Sequence, residues 1–379
     1  MRSRLSCVVA VLVLLGLGSG CGSRNAGTGG LQTDAPKQPV TQSPAPSNSP
    51  AAPSGMHGVI VLYCGVNGVT VTAYDPATGQ AGASESFPTG TASVAVCPYP
   101  STQTPHFRQV RNQFSRDFRR LAATMDGPDG KHVGYLSPGG AFSDLTPAKG
   151  SSYGAVAPDQ SRPMFNALTG RLWFYDANTT SHLGSVDPDA GPGSQRPESA
   201  AGHRDGYFYR GFDFAADGGT LINLEGTYTP DGKAYLTPGQ VLFGDKTSDW
   251  QLHQPDTDAV TVTLTLATDA PAPNCALDGF IDASRILCVG DGTQGSAYGL
   301  YVLTIGSDGR HLSQKAILPA SNNTVFTQHA SPDGGQVAFI SGAKLYLAGT
   351  AGQGEPRVLT TLTDAVGVTA YDRVAAWEA

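Results

Sequence analysis

Five segments of the chain fall into register on an aspartate set in a turn: Met125–Tyr135, Ala155–Asp159, Phe212–Ile222, the weaker copy Leu277–Leu287, and His329–Phe339. Four residues before that aspartate stand Met125, Ala155, Asp213, Asp278 and His329, so three of the five positions carry a side chain able to ligate a cation or bind a polar group. A strand alternates its side chains with period two, which places equivalent positions on the same face of equivalent strands. Where such strands converge, Asp213, Asp278 and His329 are candidates to hold a divalent cation or to orient a polar ligand. The competing role is plainer: each side chain bonds to backbone where two sheets meet. The turn aspartates Asp129, Asp159, Asp217 and Asp333 are assigned to turn structure rather than to catalysis. Proline fixes φ at the first turn position, aspartate accepts from amides two residues on, and glycine takes positive φ.

Other chemistry is sparse. Gly202–Asp213 is the densest mixture of aromatic, basic and acidic groups, and His203, Arg204, Tyr207, Tyr209 and Arg210 are binding candidates within it. Tyrosine and arginine are the types favoured at interface hot spots, although a strand with an ordinary entry loop would look the same. The basic run His106–Arg120 reads as a solvated loop leading into a strand, with a patch for an acidic partner as the alternative. Asp187–Glu198 has carboxylates at calcium-loop positions one, three and twelve but lacks the acidic fifth position and the glycine at six, so it reads as a Pro/Gly-rich loop. No GxSxG, HExxH or GxxxxGK string occurs, and no GxGxxG occurs beyond the first residues; no cofactor is expected and no catalytic residue is assigned.

The elements that must position these residues are short strands. Each registered segment has an apolar strand, a tight turn and a second apolar strand. A third strand follows in Arg171–Asp176, Gly299–Thr304 and Lys344–Ala348, and a fourth in Pro356–Thr361. Four strands every 40 to 50 residues, with 48 glycines and 27 prolines and no long amphipathic helix, describe an all-β chain folded as a β-propeller. The count gives six four-stranded blades, with seven open because residues 80–112 and 226–269 are poorly patterned. Val366–Trp377 reads as the first two strands of a blade and Gly58–Tyr63 with Val69–Tyr74 as its last two, so the two ends would close the ring and leave no unpaired edge.

The first 20 residues have the layout of a secretory signal: Arg2 and Arg4, an apolar run from Cys7 to Leu17, then small residues. Leu17–Cys21 resembles a bacterial lipobox, in which the cysteine becomes the lipidated N-terminus, although Gly18 stands where leucine is usual. The resemblance implies a protein anchored through Cys21 to the outer face of the cell membrane. Residues 21–57 are Gly, Ser, Thr, Ala and Pro with almost nothing apolar to bury, a tether reaching roughly 30 to 35 Å. Residues 58–379 form one β-propeller domain. In an exported chain Cys64, Cys97, Cys275 and Cys288 are disulfide candidates; three pairings are open, and Cys64–Cys97 with Cys275–Cys288 is favoured because each pair lies within one repeat. The net charge of −7 argues against nucleic acid as a partner.

The turn Ser331–Gly334, the apolar strand after it, the Leu345-Tyr-Leu347 strand and the trailing Arg357-Val-Leu-Thr360 resemble the repeat of TolB-like six-bladed propellers. That resemblance specifies a fold rather than a reaction. It implies a binding platform for a protein or small-polymer partner at the envelope. A metal-dependent hydrolase or lactonase using the channel, or a structural accessory protein, are the alternatives. The anchor has its own test. Cys21→Ser should move the protein from the membrane fraction to the soluble fraction, and unchanged retention would contradict lipidation.

Overall fold

Short apolar runs separated by Gly, Pro and Asp leave little room for helices, and a computed structural model resolves them into strands. It describes residues 55–97, 107–128, 130–146, 163–176, 183–201, 213–215, 217–221, 226–238, 249–266, 275–291, 298–321, 325–352, 354–362 and 371–379. From the N-terminal side come β1 (Gly58–Gly65), β2 (Gly68–Tyr74), β3 (Ala81–Pro88) and a short helix α1 (Phe107–Asn112). A three-stranded meander follows: β4 (Leu121–Gly127), β5 (Gly130–Leu136) and β6 (Phe142–Asp144). The next sheet holds β7 (Met164–Phe165), β8 (Leu172–Tyr175), β9 (Leu183–Val186) and β10 (Arg196–Pro197). A two-stranded pair comes next, β11 (Asp213–Phe214) with β12 (Thr220–Leu221).

Two four-stranded meanders are then joined into an eight-stranded sheet. The first is β13 (Thr227–Tyr228), β14 (Tyr235–Pro238), β15 (Asp249–His253) and β16 (Val260–Leu266). The second is β17 (Cys275–Phe280), β18 (Arg285–Asp291), β19 (Tyr298–Ile305) and β20 (His311–Ser321). Their outer strands β16 and β20 run parallel, with Thr265 opposite His311 and Leu266 opposite Leu312. The last sheet is β21 (Val325–Ala330), β22 (Gln336–Ser341), β23 (Lys344–Gly349) and β24 (Arg357–Thr361), and β25 (Tyr371–Glu378) then returns to pair with β1.

Alternation along single strands shows how the sheets follow one another. In β1, Ile60 and Leu62 pack with Leu121, Ala123 and Leu136, whereas Val59 and Val61 pack with Ala338, Ile340, Leu345 and Leu347. In β22, Val337 and Phe339 turn the other way, onto Leu287, Val289, Leu300 and Val302. In β18, Ile286 and Cys288 join Leu236, Trp250 and Leu264. Ala122 packs with Phe165, Leu172 and Phe174, and Trp173 meets Phe214 edge-on at 5.7 Å. Ala215, Tyr228 and Tyr235 share one cluster, which joins the β11–β12 pair to the β13–β16 meander. The clusters thus run from sheet to sheet around a ring, which is the arrangement of a β-propeller.

The ring closes by strand pairing between the two ends, with Val59 opposite Trp377 and Leu62 opposite Arg373. The division of strands differs from the expected two and two. Among the described residues the closing sheet takes three strands from the N-terminal side and β25 alone from the C-terminal side. The strand missed in the sequence is β3, whose Gly82, Ser84, Glu85 and Ser86 give no apolar face; only Phe87 is buried. It is held instead by the ladder to β2 and by hydroxyl pairs Thr70–Ser86 at 3.0 Å and Thr72–Ser84 at 3.1 Å. Cys64 and Cys97 form a disulfide that ties the end of β1 to the loop beyond β3. Cys288 is also disulfide-bonded, and the side chain of Cys275 lies outside those described.

The turn at Ser331 shows the chemistry that spaces the strands. Asp333 Oδ1 accepts from the Ser331 hydroxyl at 2.5 Å and from the Gly335 amide at 2.9 Å, while Gly334 takes φ of 67°. Asp217 accepts from the Gly219 amide in the same way at 2.9 Å. Asp129 and Asp159 lie outside the described residues. The Ser331 hydroxyl, and after it the Gly335 amide, hold the Asp333 carboxyl below the usual carboxylate range. A group whose pKa is lower folded than unfolded adds stability that is complete above the unfolded value near about 4 and is lost as pH falls through the folded value. Asp333→Asn should therefore lose stability less steeply than the unaltered protein between about pH 4 and pH 2, read as urea midpoints. Equal slopes would show that the turn does not favour the ionised carboxylate.

Candidate functional site at the channel mouth

The first strands of the sheets pack side by side, β11 on β13, β13 on β17 and β21 on β25, and α1 lies against β7, β17, β21 and β25. The helix therefore sits where these strands converge. Val110, Phe114 and Phe118 recur every fourth residue and are all buried, with ring centroids 5.9 Å apart for Phe87–Phe114 and 5.4 Å for Phe114–Phe118. Arg111 fixes the segment to the ring. Its guanidinium lies 4.4 Å over the Phe118 ring and its Nε donates to Glu378 Oε1 of β25 at 2.7 Å. Its Nη atoms donate to the carbonyls of Phe114, Ser115 and Arg116 at 3.2 to 3.3 Å. The expectation of a solvated loop over His106–Arg120 is corrected here: the apolar stripe outweighs the surrounding charge and buries the segment, leaving Arg116 and Arg119 exposed.

Beside α1 is a cavity of about 430 Å³ walled by Arg111, Asn112, Arg116, Asn166, Asp213 and His329, with Ala167, Leu168, Phe214 and Ala215 as its apolar part. Asp213 opens β11 and His329 lies near the end of β21, so their shared register does bring these two together. Asp213 is 7% exposed, and its oxygens accept from the amides of Phe214 at 3.0 Å and Tyr228 at 3.2 Å. Burial, and then the Asp213 charge, push the Tyr228 phenol well above its usual range. His329 Nδ1 donates to the Ala330 carbonyl at 3.0 Å. His329 also borders a second cavity of about 430 Å³, lined by Phe280, Ile281, Leu287, Pro332 and Trp377.

Asp278 is not brought into this set by any described contact. It falls at a register shift in β17, where Leu277 faces Cys288 and Gly279 already faces Leu287, and its side chain lies outside those described. His203, Arg204, Tyr207, Tyr209 and Arg210 also lie outside the described residues. No group of three or more His, Cys, Asp or Glu side chains able to hold a metal ion occurs among the described residues. The carboxylates of Asp187–Glu198 have separate protein partners. Asp189 pairs with Arg120 at 2.5 Å, Asp187 caps the Asp189 amide at 2.9 Å, and Glu198 accepts from Ser185 and Arg196, each at 2.6 Å.

One constellation had no sequence signal. Thr237 Oγ1 lies 3.0 Å from His253 Nε2, and His253 Nδ1 lies 3.0 Å from Asp258 Oδ1. The Tyr235 hydroxyl donates to the same carboxylate, and its ring stacks on His253 at 4.9 Å. Hydroxyl, imidazole and carboxylate in that order are the parts of an activated nucleophile. Here Thr237 is 6% and His253 3% exposed, and none of the three borders either cavity. The relay fastens β14 and β15 to the turn at Asp258, a residue held at φ of 55°.

No family model matches the chain, and no curated protein does. Solved structures do match. TolB from Acinetobacter baumannii is 15% identical with 84% of this chain and 67% of that one covered, at a TM-score of 0.41. Oligogalacturonate lyase from Vibrio parahaemolyticus is 13% identical, with 81% and 74% covered and a TM-score of 0.38. A puromycin hydrolase is 17% identical, with 83% and 55% covered and a TM-score of 0.37. These proteins share a fold and differ in what their names say they do. The sheets and their order make this chain an all-β propeller, and its likeness to these structures is one of fold alone.

Proposed function

We infer that this protein is a lipid-anchored, extracytoplasmic β-propeller that serves as a protein- or ligand-binding platform at the cell envelope. The observation that carries the reading is the cavity beside α1. It combines charged, amide and apolar walls at the point where the first strands converge, the usual composition of a recognition site. The anchor rests on Cys21 and its flanking residues, and no helix among the described residues is long and apolar enough to cross a membrane.

The metal-dependent hydrolase or lactonase has less behind it. Asp213, which would have to be a ligand, already uses both oxygens on backbone amides. A platform should hold its partner through crosslinking and detergent. One stoichiometric partner should co-purify from crosslinked, solubilised membranes and be lost when Arg116 and Leu168, both exposed at the cavity, are changed to glutamate. No partner, or one retained by the double variant, would contradict the reading.

A further inference from the structure

The polar groups around the cavity beside α1 differ in how far they are already used, and that difference selects a ligand. Arg111 spends its Nε on Glu378 and its Nη atoms on three carbonyls. Asn166 donates to the Gly218 carbonyl at 3.0 Å and accepts from the amides of Leu168 and Thr169. Asp213 is engaged by two amides. The Arg116 side chain, by contrast, is exposed and has no hydrogen bond or ion pair among the described residues, and the half-buried Asn112 amide likewise has none there. Both are donors. A guanidinium presents a flat fork that matches a carboxylate oxygen for oxygen.

Charge and shape narrow the ligand further. One uncommitted cation, with the Asp213 carboxylate in the same wall, suits a monoanion better than a phosphate dianion. The rest of the cavity is Ala167, Leu168, Phe214 and Ala215, and Leu168 is 59% exposed there. An apolar body laid on these residues would cover Leu168 and gain the usual return for apolar area removed from water. A space of about 430 Å³ lies within the range of sites for small organic ligands.

We propose that this cavity binds an organic carboxylate with an apolar body, the carboxylate on Arg116 and Asn112 and the body on Leu168 and Ala215. It rests on the reading of the channel mouth as a binding face and adds to it the chemical class of the ligand. Two sources offer this chemistry, the C-terminus of a short apolar peptide and a free aryl-alkyl acid.

Titration calorimetry on the full-length protein in detergent separates them. The probes are N-acetyl-leucyl-leucine as free acid and as amide, 4-phenylbutyrate, and inorganic phosphate. At least one carboxylate should bind, phosphate should not, and both amidation and Arg116→Gln should weaken binding about tenfold or more. Binding of the dipeptide acid alone assigns the site to chain termini, and equal binding of phenylbutyrate assigns it to small acids. Acid and amide binding alike, or an Arg116→Gln variant with unchanged affinity, would overturn the carboxylate while leaving the mouth a binding face. No binding by any probe, with the crosslinked partner still lost from the cavity variant, would overturn it in the same way.

Discussion

Each sheet of this protein has two buried faces, and everything else follows from that constraint. A strand that exposes one face can tolerate a polar alternation, but β1, β18 and β22 cannot. Ile60 and Val61, Leu287 and Cys288, Val337 and Ala338 are neighbours in sequence and belong to different cores. A slip of one residue would exchange both sets at once, so register is fixed twice over in every such strand. Sheets of that kind need a neighbour on each side. A ring supplies one to every member, and the pairing of β1 with β25 joins the two ends of the chain in one sheet.

Closure has a local consequence at the axis. β25 brings Glu378 to the mouth, where it meets Arg111, and Arg111 in turn organises the backbone from Phe114 to Arg116. Val110, Phe114 and Phe118 bury the same segment against the first core. The result is a wall of the cavity that depends on the closing strand although nearly 270 residues of chain separate the two. Arg116 is then presented outward, not by its own contacts but because the residues on both sides of it are held.

What could be read from the sequence was whatever is enforced locally. The Ser331–Gly334 turn was legible because its hydrogen bonds span two to five residues. The placing of Asp213 and His329 on one cavity was legible because strand register carries position from one repeat to the next, and it stopped at Asp278, which falls at a register shift in β17. β3 was missed because a polar outer strand has no apolar pattern to find. α1 was missed because five arginines between 108 and 120 hid a three-residue apolar stripe. Nothing local could join Thr237 to His253 and Asp258, since the contact exists only once β14 and β15 have paired.

The account stands on α1 being part of the closed ring rather than a loop resting on it. Hydrogen exchange on the unaltered protein and on Arg111→Ala measures this most directly. In the unaltered protein the amides of Phe114, Phe118 and Ala122, which donate to Arg111, Ser115 and Gln113, should be protected along with those of β1 and β25. The variant should lose protection at Phe114 and Phe118 by about tenfold or more while the amides of β22 keep theirs. Rapid exchange at these positions in the unaltered protein, or protection at Phe114 and Phe118 that survives Arg111→Ala, would contradict the claim.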